Sequence, residues 1–390
     1  MIRTNISGVI FESCIYNASG PRCGTMEALE KIGEKEFSGG ITSKSCTMVS
    51  QLGNPLPRSI NHIDLGNGII GSMNSEGLPN KGIDYYISDE LLNRISKYGK
   101  PYVVSISGLC LDDNIKMLES VLSKPDVSMI EINLACPNIP GKPMIAYDFE
   151  QMEHVLSKLC SIKTFENKPV GVKLAPYFDM PHYQKVVNIL SKFPIKFITT
   201  INSIGNALFI DADKECACIA PRGYGYAGLG GGYVKQIALA NVKILSDLLV
   251  ESGRGDIDII GVGGVFTGED AFEFILCGAK AVQVGTCHWS EGPECFNRIA
   301  KELVSIMKKK GYSSIEDFRG KIKPYQKGAK FNRPQVKNDN GNYHQMQFTD
   351  IWNNFVSNHG TYLIPAILAF VAILLLEKHF LNSKLVDIFV

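Results

Sequence analysis

The sequence has almost no excess of charge of either sign. Lysine and arginine total 40 and the acidic residues 39, which gives a formal net charge of +1. Proteins that hold nucleic acid through its phosphates carry a strong basic field, so this balance argues against a nucleic-acid partner. Charged residues make up 20% of the chain and hydrophobic ones 45%, which argues against wholesale disorder and permits a large core.

The chain also lacks cysteine pairs with the CxxC spacing, although it contains 11 cysteines. Zinc ribbons and thioredoxin-like chemistry are therefore not expected, and no metal site is predicted. The N-terminal MIRTNISGVIFES has no charged-then-apolar pattern, which argues against a secretory signal. We expect free thiols in a reducing compartment, with the folded domain in the cytoplasm.

Composition divides the chain into four parts. Residues 1–325 predict one large α/β domain, 326–359 a polar linker, 360–376 an apolar segment and 377–390 a short tail. The apolar segment, GTYLIPAILAFVAILLL, contains 17 residues and no charge, and transmembrane helices take about 17–25.

The flanking charges bear on the orientation of that segment. Six basic residues between 321 and 337 precede it, and two lysines follow it. By the positive-inside rule, this asymmetry leaves the large domain in the cytosol. We favour membrane attachment through residues 360–376. The alternative is an apolar helix that packs on the domain or lies along an interface.

Residues 1–325 alternate short β-type runs with amphipathic helical patterns. Eight such repeats favour a (β/α)8 TIM barrel with inserted loops at its C-terminal face. A doubly wound sheet is the competitor, but it usually has a glycine-rich turn after its first strand, and here ASGPRCG places a proline there. The region between 43 and 101 is expected to hold extra loops and one helix. The predicted strands are 15–19, 40–43, 101–107, 129–133, 169–174, 196–201, 258–262 and 281–285, and the clearest helices are near 148–162, 181–192, 267–277 and 293–309.

Polar and glycine residues follow these strands, where barrel enzymes place their active sites. Two glycine-rich turns, after strands seven and eight, suit a phosphate such as that of flavin mononucleotide (FMN) or a sugar phosphate. The residues at strand ends are Lys44, Asn133, Cys136, Lys173, Asn202, Ser203, Gly263, Gly264, Gly285 and Thr286.

Cys136 lies in the segment NLACPNIPGKP, between Asn133 and Asn138. A thiol in such a loop can act as a general base over a substrate, and the asparagine amides suit a cyclic amide or imide. The alternative is a small buried hydrophobic residue. Lys44 and Lys173 can pair with a substrate carboxylate, stabilise a reduced flavin or form a Schiff base.

The ordered motifs together closely resemble those of the soluble, fumarate-linked class 1A dihydroorotate dehydrogenases. A cysteine at position 136 separates this class from the quinone-linked one, which uses a serine. The resemblance covers nearly all of residues 1–325. The motifs are ASG (18–20), KS (44–45), GNPLPR (53–58), NSEGLPN (74–80), NLACPN (133–138), GVKLAPYFD (171–179), NSIGN (202–206), ALANV (238–242), GVGG (261–264) and QVGT (283–286).

The resemblance implies FMN-dependent oxidation of dihydroorotate to orotate in pyrimidine biosynthesis, with reoxidation by fumarate and a homodimeric assembly. It implies that Cys136 is the base and that Lys44 and Lys173 assist catalysis. The implied substrate-binding residues are Lys44, Asn74, Ser75, Gly77, Leu78, Asn133, Asn138, Asn202 and Ser203. The implied FMN-binding residues are Ala18, Ser19, Lys44, Ser45, Asn133, Lys173, Ile201, Gly231, Gly263, Gly264, Gly285 and Thr286.

Four residues depart from the family pattern. Glu76 stands where the family usually has methionine, and its carboxylate would repel an anionic substrate unless its side chain points away. Ala135 replaces a serine before the base, and Cys46 and Val262 replace small polar residues near the flavin.

Four other functions stay open at this stage. They are the same half-reaction with a membrane quinone as acceptor, another FMN-dependent dihydropyrimidine oxidoreductase, a Schiff-base lyase that uses Lys44 or Lys173, and a non-catalytic membrane scaffold. The dihydropyrimidine enzymes need iron–sulfur domains, and the cysteines here form no cluster for them.

Overall fold

The computed structural model describes residues 1–64, 69–136, 144–221 and 225–330, together with the backbone of two short strands beyond them. Residues 1–64 and 69–327 form one compact unit, and residues 65–68 and 328–390 are assigned to a second. In the second unit, Val336–Lys337 pairs antiparallel with Tyr343–His344. The predicted apolar segment 360–376 and the tail 377–390 lie outside the described residues. Among the described helices, none is both long enough and apolar enough to span a bilayer.

The elements are numbered in chain order. The strands are β1 (Thr4–Ile6), β2 (Val9–Phe11), β3 (Ile15–Asn17), β4 (Ile41–Thr42), β5 (Ser59–Asp64), β6 (Ile70–Asn74), β7 (Tyr102–Ile106), β8 (Met129–Asn133), β9 (Val170–Lys173), β10 (Phe197–Thr200), β11 (Ile204–Ala207), β12 (Ile210–Asp211), β13 (Cys216–Ala217), β14 (Ala227–Gly231), β15 (Asp258–Val262), β16 (Ala281–Val284), β17 (Val336–Lys337) and β18 (Tyr343–His344). The α-helices are α1 (Met26–Gly33), α2 (Ile83–Tyr86), α3 (Asp89–Ser96), α4 (Leu111–Leu122), α5 (Phe149–Cys160), α6 (Met180–Leu190), α7 (Lys235–Glu251), α8 (Gly268–Leu276), α9 (Thr286–Glu291) and α10 (Glu294–Lys310).

Eight parallel strands form the central sheet, in the order β3-β16-β15-β10-β9-β8-β7-β4. At least one helix follows each of them in sequence, as in a (β/α)8 barrel. The eight predicted strands and the four predicted helices all match observed elements, so the predicted barrel is confirmed. The strands are almost entirely buried, because helices cover their outer face and packed side chains fill the interior.

A side chain joins the two terminal strands of this sheet. On β3, Asn17 Nδ2 donates a hydrogen bond to the carbonyl oxygen of Thr42 on β4, at 2.7 Å. The backbone N–H of Thr42 in turn donates to Asn17 Oδ1 at 2.8 Å. The amide of Asn17 therefore satisfies both backbone polar groups of Thr42, and it links the strands where the ladder of backbone pairs ends.

Side-chain caps fix where several outer helices begin. A side-chain oxygen accepts a hydrogen bond from a backbone N–H in the first turn of α1, α3, α5, α6 and α8. Such caps satisfy N–H groups that have no partner within the helix. The capping residues are Thr25, Ser88, Asp148, Asp179 and Thr267.

A second sheet was not predicted. It is antiparallel, with the order β11-β14-β6-β5, and it draws two strands from the region expected to hold loops and one helix. That expectation was wrong, because residues 43–101 contain β5, β6, α2 and α3. β14 is rich in glycine, and β5 carries a register shift between Ile60 and Ile63, so neither strand shows regular alternation.

Candidate active site

One cavity of about 1030 Å³, measured with its open mouth, is lined by residues at the C-terminal ends of the barrel strands and by the second sheet. Most of the predicted site residues line it. These are Ala18, Ser19, Lys44, Ser45, Asn74, Leu78, Asn133, Cys136, Lys173, Ile201, Asn202, Ser203, Gly231, Gly263, Gly264, Gly285 and Thr286.

Three predicted residues are placed differently. Ser75 and Gly77 alternate along the chain with lining residues but do not themselves line the cavity. Ser75 accepts a hydrogen bond from Asn54 Nδ2 at its carbonyl oxygen, at 2.7 Å, and a Cβ on Gly77 would lie 2.5 Å from Asn54 Oδ1. Both positions therefore pack against a neighbouring loop. Asn138 lies outside the described residues.

Lys44 and Lys173 bring two ammonium groups into the cavity. Lys44 follows β4 and Lys173 ends β9, and the two residues are 8% and 4% exposed. Neither lysine has a salt-bridge partner among the described residues, although burying an unpaired charge is costly. The cavity therefore favours a ligand that is negatively charged or that gains negative charge during a reaction.

An amide cluster lies beside the lysines. Asn202 Nδ2 donates hydrogen bonds to Asn133 Oδ1 at 3.2 Å and to the carbonyl oxygen of Ala135 at 2.7 Å. Asn133 Nδ2 donates to Ser45 Oγ at 3.2 Å. Asn133 is also an acceptor, because the N–H of Ala135 donates to its Oδ1 at 3.1 Å. The substitution at position 135 therefore leaves two backbone contacts that hold these asparagines in place.

Cys136 differs from the other cysteines in its surroundings. All 11 cysteines lie among the described residues, and Cys136 is the one that lines the cavity. It is partly exposed, whereas Cys14, Cys23 and Cys46 are buried near the barrel interior. Burial raises the pKa of the Cys14 thiol to about 12 and also raises the pKa values of Cys23 and Cys46, so these thiols are poor bases.

At the far end of the cavity the backbone approaches closely. Gly231 and Gly264 have φ values of +81°, and a Cβ on Gly231 would lie 2.7 Å from the carbonyl oxygen of Ile70. Here Ser72 Oγ and Thr286 Oγ1 form a hydrogen bond of 2.8 Å. Glycine turns and hydroxyl groups are typical of a phosphate-binding end.

Several lining residues were missed by sequence reasoning. They come from the second sheet, from the turns after the strands and from α9. Their only sequence signal is proximity to a predicted glycine turn or motif. These residues are Gly20, Pro21, Ser72, Gly230, Val234, Val265, Phe266 and Trp289.

Glu76 does line the cavity, but its charge is paired. Its Oε2 lies 2.9 Å from Nε of Arg58, and both side chains are largely buried. Arg58 also donates to the carbonyl oxygens of Leu52 and Asn54, at 2.6 and 3.1 Å. The sequence predicted either that Glu76 repels an anionic substrate or that its side chain points away from the site. Neither alternative included an ion pair, and Arg58 neutralises the carboxylate while Glu76 lines the cavity.

The other two departures have different outcomes. Cys46 is buried, and its thiol donates to the carbonyl oxygen of Ser105 at 3.4 Å. Val262 lines the cavity and adds apolar surface.

Comparison with known proteins identifies the family and the fold. A family model described as dihydroorotate dehydrogenase matches residues 1–307. The chain belongs to the dihydroorotate dehydrogenase family. Its relatives include dihydroorotate dehydrogenase A (fumarate) of Lactococcus lactis, which is 45% identical over 83% of this chain and 99% of the relative. The dihydroorotate dehydrogenase (fumarate) of Kluyveromyces lactis is 44% identical over 83% of this chain and 98% of the relative.

Solved structures agree in fold. The ligand-free dihydroorotate dehydrogenase of Eimeria tenella superposes with a TM-score of 0.67 at 21% sequence identity. The match covers 82% of this chain and 91% of that one. At this identity the likeness supports the barrel fold and carries no information about the acceptor.

The Glu76–Arg58 pair generates a prediction for binding of an anionic substrate of this family. Arg58→Gln leaves the carboxylate unpaired, so we expect KM for dihydroorotate to rise at least about tenfold. Glu76→Gln removes the negative charge and is expected to leave KM unchanged or lower. In the double variant Glu76→Gln/Arg58→Gln, KM should return most of the way to the value of the parent protein. Steady-state kinetics of the three variants measures the coupling.

Arg3→Gln is the control, because its ion pair with Glu12 is exposed on both sides and should not affect KM. If the double variant is as impaired as Arg58→Gln, Arg58 acts by anchoring the loop carbonyls, and charge pairing is the wrong explanation.

Proposed function

We propose that this protein oxidises dihydroorotate to orotate in pyrimidine biosynthesis, with FMN as its cofactor and fumarate as its electron acceptor. The observation that carries the proposal is the joint placement of Cys136, Lys44 and Lys173 around one cavity in a member of the dihydroorotate dehydrogenase family. The two fumarate-linked relatives match more than four fifths of the chain.

The cavity fits FMN on its own geometry. Its glycine-lined end admits a phosphate, and its two unpaired ammonium groups suit a ring that gains negative charge on reduction. FMN supplies the hydride-accepting chemistry that the amino acids lack. We assign its binding to Ala18, Ser19, Lys44, Ser45, Asn133, Lys173, Ile201, Gly231, Gly263, Gly264, Gly285 and Thr286.

The substrate is a cyclic ureide with a carboxylate. Lys44 pairs with that carboxylate, and the amides and hydroxyl of the lining residues bind the ring polar atoms. Leu78 contributes from the loop that Arg58 and Asn54 hold in place. We assign substrate binding to Lys44, Asn74, Leu78, Asn133, Asn202 and Ser203, with Ser75, Gly77 and Asn138 as further proposed contacts.

Cys136 acts as the base in this scheme. It would take the proton from C5 of dihydroorotate, and FMN, when bound, would supply the acceptor for the hydride from C6. Lys173 would stabilise the negative charge that FMN gains on reduction, and Asn133 and Asn202 would orient the substrate ring through their fixed contacts. Fumarate, which is also an anionic carboxylate, then uses the same positive cavity.

Cys136→Ala removes the base and leaves the rest of the cavity in place. We expect the rate of flavin reduction by dihydroorotate to fall by about 10²–10⁴-fold, with FMN binding retained. Stopped-flow absorbance of the flavin measures this step. Cys110→Ala is the matched control, because Cys110 is exposed and does not line the cavity. Equal rates in the two variants would remove Cys136 from the chemistry.

The acceptor is tested on the full chain without oxygen. We expect sustained turnover of dihydroorotate with fumarate as the only acceptor. The absorbance of the orotate that forms measures this turnover. If dihydroorotate bleaches the flavin and fumarate does not restore its colour, the half-reaction stands and the acceptor assignment is wrong. Reoxidation by a soluble quinone under the same conditions would then identify the alternative.

We also propose a homodimer. Apolar side chains lie exposed around the β12–β13 hairpin, where a partner subunit would cover them. They include Leu208, Ile210 and Tyr226, which are 40%, 62% and 40% exposed. In the same part of the chain, Ile219 and Ala227 form a small cluster with Met73 that is separate from the main core.

We further propose that residues 360–376 attach the protein to a membrane. The support is the charge-free run and the basic residues that precede it. The catalytic unit would then stay on the cytosolic side, and the attachment would set location only.

A truncation after residue 330 tests both proposals. We expect the full chain to sediment with membranes and to require detergent for release, and the truncated chain to stay in the supernatant. In sedimentation velocity, the truncated chain should have twice the mass of one copy. A full chain that stays in the supernatant would rule out attachment, and a single-copy mass at micromolar concentration would rule out a stable dimer.

A further inference from the structure

A chain of hydroxyl groups leads from the cavity into the barrel interior. Ser19 and Ser45, which line the cavity, have their Oγ atoms 2.9 Å apart. Ser45 Oγ lies 2.9 Å from Ser105 Oγ on β7. Ser105 Oγ donates to Glu131 Oε1 at 3.0 Å. The chain therefore ends on a carboxylate that is completely buried.

The carboxylate fixes the direction of every hydrogen bond above it. A serine hydroxyl has one proton, so Ser105, which donates to Glu131, must accept from Ser45. Ser45 has then used its proton and must accept from Ser19. Ser45 Oγ also accepts from Asn133 Nδ2 at 3.2 Å, and Ser19 Oγ accepts from the N–H of Ser45 at 2.6 Å. Glu131 thus determines which groups donate and which accept hydrogen bonds among the serines at the base of the cavity.

Strand register places Glu131 directly beneath the cavity floor. Asn133 is two residues further along β8, so both side chains face the barrel interior, about 6.6 Å apart along the strand. Lys173 on β9 pairs in register with Asn133, and Ser105 on β7 pairs with Glu131. Glu131 therefore lies one layer below the layer of Asn133 and Lys173.

Its charge also lies near the residues that carry the lysines of the cavity. Lys173 pairs in register with Asn133, which is two residues from Glu131 on β8. Lys44 directly precedes Ser45, which is joined to Glu131 through the single hydroxyl of Ser105. Neither lysine has a salt-bridge partner among the described residues. Glu131 is held in place by Ser105 and, at 3.5 Å, by Gln283 Nε2. Glu131 is thus an anion held by hydrogen bonds one layer below the cavity lining.

We propose that Glu131 is a positioning residue for the flavin reaction, which rests on the proposed FMN-dependent function. It acts in two ways. Through Ser105 and Ser45 it fixes the hydrogen-bond polarity that Ser19 and Asn133 present to the flavin. Through its charge it offsets the two ammonium groups, and so limits how strongly the cavity favours the reduced flavin over the oxidised one.

Glu131→Gln tests the charge with little change in shape. Loss of a negative charge favours the electron-rich state, so we expect the reduced flavin to gain at least about tenfold in relative affinity over the oxidised one. For a two-electron couple this is a rise of about 30 mV in the midpoint potential. Redox titration of the bound flavin against a reference dye measures it. Glu131→Asp keeps the charge and should return the potential toward that of the parent protein.

Ser105→Ala tests the hydroxyl chain with the charge retained. We expect FMN affinity, measured by quenching of flavin fluorescence, to fall about three- to tenfold, with a smaller shift in potential. Thr42→Val is the matched control. Thr42 is equally buried, and its Oγ1 has no hydrogen-bond partner within the described residues. This variant should match the parent protein in both measurements.

The outcomes separate this inference from the proposed function. A parent protein that binds no FMN overturns both. If the parent protein binds FMN and is reduced by dihydroorotate, but folded Glu131→Gln keeps the parent potential, the function stands and the role of Glu131 in charge balance is refuted. If Glu131→Gln does not fold, Ser105→Ala decides, and an FMN affinity equal to that of Thr42→Val refutes the proposal.

Discussion

The structure depends on one constraint, which is that eight parallel strands are gathered into one barrel. Their C-terminal ends must then converge, and residues far apart in sequence meet there without any local signal that joins them. Lys44, Asn133 and Lys173 come from different strands, yet register and burial place them around one cavity. The chemistry of the cavity depends on that convergence, because each group needs partners that another strand supplies.

Electrostatics then determines what the cavity can hold. Two ammonium groups face it without a salt-bridge partner among the described residues, and neither of two nearby carboxylates pairs with them directly. Glu76 is neutralised by Arg58 at the mouth, and Glu131 lies one layer deeper, under the amide and hydroxyl groups. The surface that a ligand contacts therefore stays positive. In the interior beneath it, the negative charge of Glu131 offsets part of the positive charge of the lysines. A dicarboxylate such as fumarate and an anionic ureide place the same demand on such a site.

Much of the barrel could be predicted from the sequence, since a buried parallel strand such as Tyr102–Ile106 is a short, largely apolar run bounded by turns. The lysines and asparagines of the site could be predicted because they follow such runs. The second sheet could not be predicted, because β14 consists largely of glycine and the pairing of β5 with β6 carries a register shift. The partner of Glu76 was also missed. Arg58 is 18 positions away, and only the folded loops bring the two side chains together. A pattern of neighbouring residues can be recognised in the sequence, whereas an ion pair between two loops can be recognised only in the folded structure.

The contact between β3 and β4, the two terminal strands of the barrel sheet, differs from the other strand pairs. Elsewhere in the ring, neighbouring strands are held by repeated backbone pairs, so the loss of one side chain leaves the pairing intact. Between β3 and β4 the side-chain amide of Asn17 makes the link to Thr42. Its neighbours Ala18 and Ser19 line the cavity. The link therefore requires a side chain at position 17 that both donates and accepts a hydrogen bond. A residue without both a donor and an acceptor at that length would loosen the ring directly beside two residues that line the cavity.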